Sequence, residues 1–252
     1  MVQIITDAST LYTVEEAREL GFEVSPLCVN IGDLDARDLQ LDMKDFYGRI
    51  KRGEIPKSSQ PPVGEVLDLY EKYSDTQIIN IAMADGLSGT YQSACGARET
   101  VENKEKITVF NTRTLCGPHR YMVEKAQKMK QNGCGVKEIM EWLEYAADRH
   151  ESFFIPQDFD FLRRGGRLTP VAAALGSVLK LRPIMTQTKD GKKLDERHIV
   201  YVSHADAIED AKTAITYLRE AFANVEINQY SKAYTPIRVA LFSLENDNKT
   251  FT

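Results

Sequence analysis

Two short polar segments, each opening a helix pattern, hold most of the chemistry in this 252-residue chain. The first is Leu87-Ser88-Gly89-Thr90-Tyr91-Gln92-Ser93-Ala94, directly after the apolar run Ile78-Ile79-Asn80-Ile81-Ala82-Met83-Ala84. The run reads as a buried strand, Ser88-Gly89 as a tight turn and Thr90 onward as a helix. Free backbone N–H groups and a serine hydroxyl then meet at a helix N-terminus, which suits an anionic head group. The second is Lys57-Ser58-Ser59-Gln60-Pro61-Pro62, two hydroxyls and a side-chain amide ahead of a proline-started helix. Taken alone, it reads more readily as a helix cap than as a site. No histidine, cysteine pair or carboxylate cluster adjoins Ser88 in sequence, so a base for nucleophilic attack is not in evidence and the segment favours holding an anion over breaking a bond.

Other residues invite chemistry less strongly. In Arg163-Arg164-Gly165-Gly166-Arg167, arginines beside a glycine turn suit a phosphate, a carboxylate or an acidic partner surface. A structural role is favoured, in which Arg167 pins the turn, for instance through Asp160; partner docking is the second reading. Asp7, at the end of the first strand pattern, reads as a cap of the following turn or a bond to a neighbouring loop. The histidines His119, His150, His198 and His204 are not paired at metal-ligand spacing, and His119, after Cys116-Gly117-Pro118, reads as a solvated helix-start residue ahead of the alternative that it borders a ligand. Cys28, Cys95, Cys116 and Cys134 are scattered, which signals neither zinc nor a disulfide framework and predicts buried reduced thiols.

The elements that must position these residues alternate. Strands are expected at Val2–Thr6, Phe22–Ile31, Ile78–Ala84 and Ile107–Asn111. Helices are expected at Val14–Leu20 (capped from Ser9 to Thr13), near Phe46–Ile50, and over Val63–Tyr73, Thr90–Val101, His119–Gln131 and Val136–Ala147. This order predicts an α/β fold with a parallel sheet covered on both faces, whose ligands bind at the carboxyl ends of the strands. The character changes near Glu151, so an N-terminal domain over 1–150 and a smaller C-terminal α/β domain over 151–252 are expected. In the latter, strands are expected at Ser152–Ile155 and Arg182–Thr188, a small-residue helix at Pro170–Leu179 and a hairpin turn at Asp190-Gly191. Around Ile199–Ser203, Ala205–Phe222 and Val239–Ser243, further strands and a helix complete it.

Composition narrows the function. The chain is 42% apolar and 27% charged, as in ordinary soluble domains, and its net charge of −5 argues against nucleic-acid binding. It lacks an apolar run long enough to span a bilayer, and its N-terminus opens into a strand without a signal-peptide pattern, so a cytoplasmic location is expected.

In order and spacing, Ile4-Ile5-Thr6-Asp7-Ala8-Ser9, the Ser58 segment, the Leu87–Ala94 octet and Phe159–Leu168 resemble the DegV family of bacterial fatty-acid-binding proteins over about residues 2 to 195. Ala8 stands where that family usually has serine, and Ser58 where it usually has threonine. The family's closing His-x-Gly-Pro-Gly-like turn has no counterpart after Thr235. The resemblance implies a two-domain carrier with one long-chain, palmitate-like fatty acid in a buried tunnel between the domains and no other cofactor. It implies that Ser58 and Ser88 grip the carboxylate at the tunnel's closed end, with Ser59 and Gly89 as neighbouring N–H donors. It also implies a partner fatty acid kinase that phosphorylates the presented carboxylate, the chain itself being no enzyme. The alternative is a phosphoryl-transfer or small-anion-binding enzyme related to dihydroxyacetone kinase. Against it, the Ser58 and Ser88 loops contain no histidine, and the chain has no Walker-type glycine-lysine loop.

Overall fold

The computed structural model describes residues 2–38, 40–150, 152–154, 159–168, 181–188 and 191–201. Backbone contacts divide the chain into two units, Met1–Asp148 and Arg149–Thr252.

The first unit is built on a four-stranded parallel sheet. Its strands are β1 (Val2–Asp7), β2 (Glu23–Ser25), β6 (Gln77–Ala82) and β7 (Ile107–Asn111), in the order β2-β1-β6-β7. Successive side chains of a strand face opposite ways, so Ile4 and Ile5 divide between two cores. Ile4, Ile79, Ile81 and Phe110 pack with α5 (Cys116–Gln131) and α6 (Val136–Ala147) through Met122, Val123, Ala126, Ile139 and Leu143. Ile5, Ile78 and Ile107 pack on the other face with α3 (Val63–Lys72) and α4 (Thr90–Thr100) through Val66, Tyr70, Ala94 and Ala97. Each fully buried isoleucine contributes roughly 1.5–3 kcal/mol, which holds the strand ends in a fixed frame. Helix α1 (Val14–Leu20) starts at a capping box. Thr13 Oγ1 accepts from the Glu16 N–H at 3.1 Å, and the Glu16 carboxylate accepts from the Thr13 N–H at 2.9 Å. It stops at Gly21, whose φ of 87° only glycine adopts freely.

The expected strand Phe22–Ile31 is in fact two. Pro26 cannot donate to a ladder, and the chain leaves the parallel sheet there. It resumes as β3 (Cys28–Ile31), the centre of a separate three-stranded sheet between β4 (Leu34–Arg37) and β5 (Lys57–Ser59), antiparallel to both. Helix α2 (Met43–Lys51), anticipated around Phe46–Ile50, has no buried residue. Its Arg49 reaches the Ile31 carbonyl at 3.3 Å and Asp33 at 2.5 Å, tying the helix to the β3–β4 turn.

In the second unit, β8 (Phe153–Phe154), β9 (Leu181–Gln187) and β10 (Leu194–Tyr201) form an antiparallel sheet in the order β10-β9-β8. The β9–β10 hairpin includes Gly191 at φ 70°. Helix α7 (Phe159–Arg164) runs into Gly165-Gly166, with Gly166 at φ 72°. The helix expected at Pro170–Leu179, the elements expected over Ala205–Phe222 and Val239–Ser243, and His204 lie outside the described residues.

Candidate functional site

The parallel strands run β1 to β2 in one direction and then cross back to β6 and β7 on the other side of β1. The switch point falls between β1 and β6, where an open α/β sheet leaves a crevice beyond its carboxyl ends. The last residues of those two strands hold a closed polar network. Asp7 is buried; one carboxylate oxygen accepts from the Ser9 N–H at 3.0 Å and the other from the Met83 N–H at 2.8 Å. It therefore caps the turn after β1 and bonds the neighbouring loop, as its position in the sequence indicates.

His119 corrects a reading. Instead of being solvated at a helix start, it is fully buried, because α5 lays its first turn across the carboxyl ends of β1 and β6. Its Nδ1 lies 2.9 Å from Ser9 Oγ, and its Nε2 lies 3.0 Å from both Thr6 Oγ1 and the Ile81 carbonyl. A carbonyl can only accept, so Nε2 carries the proton and Nδ1 accepts from the Ser9 hydroxyl. The ring is neutral: burial pushes its pKa below the ordinary histidine value, with Asp7 and the Ile81 bond opposing that shift.

Ser88 hangs from the end of this network. Ala84 N–H donates to the Thr114 carbonyl at 2.8 Å, and the Ala84 carbonyl accepts from Leu87 and Ser88 at 3.1 and 3.2 Å. The Ser88 N–H is thus not free, contrary to expectation; the turn spends it on its own closure. Its hydroxyl lies 2.8 Å from Thr90 Oγ1 and accepts from the Thr90 N–H at 3.3 Å, which fixes it at the start of α4. Nearby polar capacity is unspent: the buried hydroxyls of Ser93 near the start of α4, Thr114 after β7 and Ser25 at the end of β2 have no partner among the described residues.

Ser58 and Ser59 lie on β5, opposite Val29 and Cys28 of β3. Both are exposed, as is Gln60, because β5 is an edge strand of a thin sheet. Gln60 joins the two loops. A Cβ built on Gly89 would stand 1.9 Å from Gln60 Oε1, so the amide packs directly on the Gly89 backbone and only a glycine admits it there. The structure therefore brings together the two polar segments singled out in the sequence, through a residue not assigned a role. Gln60 stands in the same motif as Ser58, but nothing in its type or spacing points to a residue 29 positions on.

Arg167 holds its turn through the Gly165 carbonyl, and its own carbonyl accepts from the Leu194 N–H at 2.8 Å, tying the turn to the start of β10. The thiols are free but not buried: Cys28, Cys95 and Cys134 are half-buried, Cys134 packing at the margin of the first core, and Cys116 is exposed. Among the described residues no three His, Cys, Asp or Glu side chains gather as a metal site, and no helix is long and apolar enough to cross a membrane. A small, partly open pocket lined by Ala8, Tyr12, Val24 and Pro26 lies beside the start of α1.

Comparison with known proteins agrees with this architecture. A family model described as "uncharacterised protein, DegV family" matches residues 1–199. Protein DegV of Bacillus subtilis is 34% identical over 190 residues, 73% of this chain and 67% of that protein. The crystal structure of DegV from the same organism, described as a fatty acid binding protein, superimposes with a TM-score of 0.72 at 29% identity, covering 88% of this chain and 76% of that one. A DegV family protein of Thermus thermophilus shares the fold, with a TM-score of 0.76 at 24% identity over 88% of this chain and 76% of that one.

Proposed function

This chain belongs to the DegV family, and from that premise we propose that it binds one long-chain fatty acid and hands it to a partner rather than transforming it. Ser58 and Ser88 hold the carboxylate, with Ser59 and Gly89 offering N–H groups beside them. A fatty acid kinase in the cytoplasm then receives the presented head group for phosphorylation. The observation that supports this reading most is the seating of Gln60 on Gly89. It brings the segment that follows β5 against the Ser88-Gly89 turn, which is the arrangement this reading needs. Among the described residues, buried unpartnered hydroxyls lie on Ser93, whose N–H bonds the Gly89 carbonyl, and on Thr114, whose carbonyl bonds Ala84.

The energetics suit a carrier. Burying about fourteen methylenes at roughly 0.8 kcal/mol each supplies on the order of 11 kcal/mol before costs. A hydrogen bond to a charged group nets roughly 1.5–3 kcal/mol. The hydrocarbon sets affinity; the serines set which end points where. Native mass spectrometry of the purified protein, followed by lipid extraction, tests the reading. One fatty acid per chain is expected, depleted in the Ser58→Ala, Ser88→Ala double variant. A protein that arrives empty and refuses added palmitate overturns it.

A further inference from the structure

We infer that His119 is a positioning residue for the Ser88 turn, holding the head-group side of the site in register through Ser9, Asp7 and the last residues of β6. This inference rests on the carrier reading for its consequence, though not for its geometry. The bonds close a ring. His119 Nδ1 accepts from Ser9 Oγ at 2.9 Å, the Ser9 N–H and the Met83 N–H donate to the two oxygens of Asp7, and the Ile81 carbonyl returns to His119 Nε2 at 3.0 Å. The segment Ile81-Ala82-Met83 is clamped at both ends, with Thr6 Oγ1 adding a second donor to the Ile81 carbonyl at 2.8 Å. The next residue, Ala84, carries the carbonyl that closes the Leu87 and Ser88 turn.

Every member of the ring is buried, and both nitrogens of the imidazole are engaged. The ring joins three segments at one strand end: the turn after β1, the end of β6 and the first turn of α5. Removing the acceptor at Nδ1 leaves the Ser9 hydroxyl unpaired inside the protein, and removing the donor at Nε2 leaves the Ile81 carbonyl to Thr6 alone. Either change loosens the stem from which Ser88 is presented. Both leave the Ser58 and Ser88 side chains chemically intact. His119 therefore affects discrimination between head groups, while tail affinity stays as it is.

The test uses the full chain and two probes of equal length, palmitate and 1-hexadecanol, competing against a fluorescent fatty acid. Ser9→Ala and His119→Leu are expected to lower the preference for the acid about tenfold, the worth of one hydrogen bond to a charged group, with alcohol affinity within twofold of the parent. His119→Gln keeps a donor for the Ile81 carbonyl and is expected to retain most of the preference. An unchanged acid-to-alcohol ratio in Ser9→Ala overturns the inference, and this milder variant decides the matter if His119→Leu does not fold. Should the parent protein bind neither probe, the carrier reading fails. Amide exchange then judges the positioning role alone: Ser9→Ala must speed exchange at Leu87 and Ser88 at least tenfold while the amides of α6 keep their protection, and equal rates overturn it.

Discussion

The two halves of the candidate site are built to opposite standards. At the carboxyl edge of the parallel sheet, Asp7, Ser9, Thr6 and His119 are buried, bonded to one another and backed by two isoleucine-rich cores. On the small sheet, Ser58, Ser59 and Gln60 sit on an exposed edge strand beside a helix that buries none of its residues. One half is a frame and the other a flap, and they meet at the seat of Gln60 on Gly89. The contrast teaches that one wall of the candidate site is fixed by buried bonds, while the other is held mainly through its contact with the first.

The contrast breaks most sharply at Asp7. Asp7→Ala strips two buried N–H groups of their acceptor, and a loss of roughly 2–5 kcal/mol in urea denaturation is expected. A loss below about 1 kcal/mol would show that the edge is no stiffer than the flap. Next in size is a pH effect. Burial holds the His119 pKa below its ordinary value, so the unfolded chain takes up the proton first. The stabilisation is complete above about pH 6.5 and is lost as pH falls below it, by up to about 1.4 kcal/mol per pH unit. His119→Gln is expected to flatten that slope when unfolding is followed at pH 7.5 and 5.5; an unaltered slope would assign the effect to other groups.

The smallest change in stability belongs to the flap's contact. Gly89 has φ of −71°, which any residue adopts, and the atom that a new Cβ meets is the tip of a flexible side chain. Gly89→Ala is expected to shift stability by no more than about 1 kcal/mol in thermal unfolding, yet to deplete co-purified fatty acid by displacing Gln60. Full lipid retention in that variant would remove Gln60 from the site and sharpen the frame as the whole of it.

Much of the frame was legible in the sequence. Ile4-Ile5 and Ile78-Ile79 announce strands buried on both sides, Thr13 and Glu16 announce the start of α1, and Gly133 and Gly135 bracket the α5–α6 joint. The switch from β2 to β3 was not, because an apolar run interrupted at Pro26 looks the same whether it continues in one sheet or enters another. The role of His119 was equally hidden. Its partners Ser9 and Thr6 lie 110 and 113 residues away, and only the docking of α5 on the sheet brings them together. Local pattern reports which residues face a core; it does not report which distant hydroxyl they will find there.

The small sheet has a consequence in time. Its pairings join Cys28–Asn30 with Lys57–Ser59, all synthesised before β6 exists. The rigid edge needs β6 for Ile81, which pairs with Thr6 across 75 residues, and then α5 for His119. A chain leaving the ribosome at about 5–20 residues per second can close the flap seconds before the frame has its last member. Low sequence separation favours early closure and long separation delays it. The order of assembly therefore runs against the order of rigidity: the loosest wall is available first, and the histidine that fixes the other arrives last.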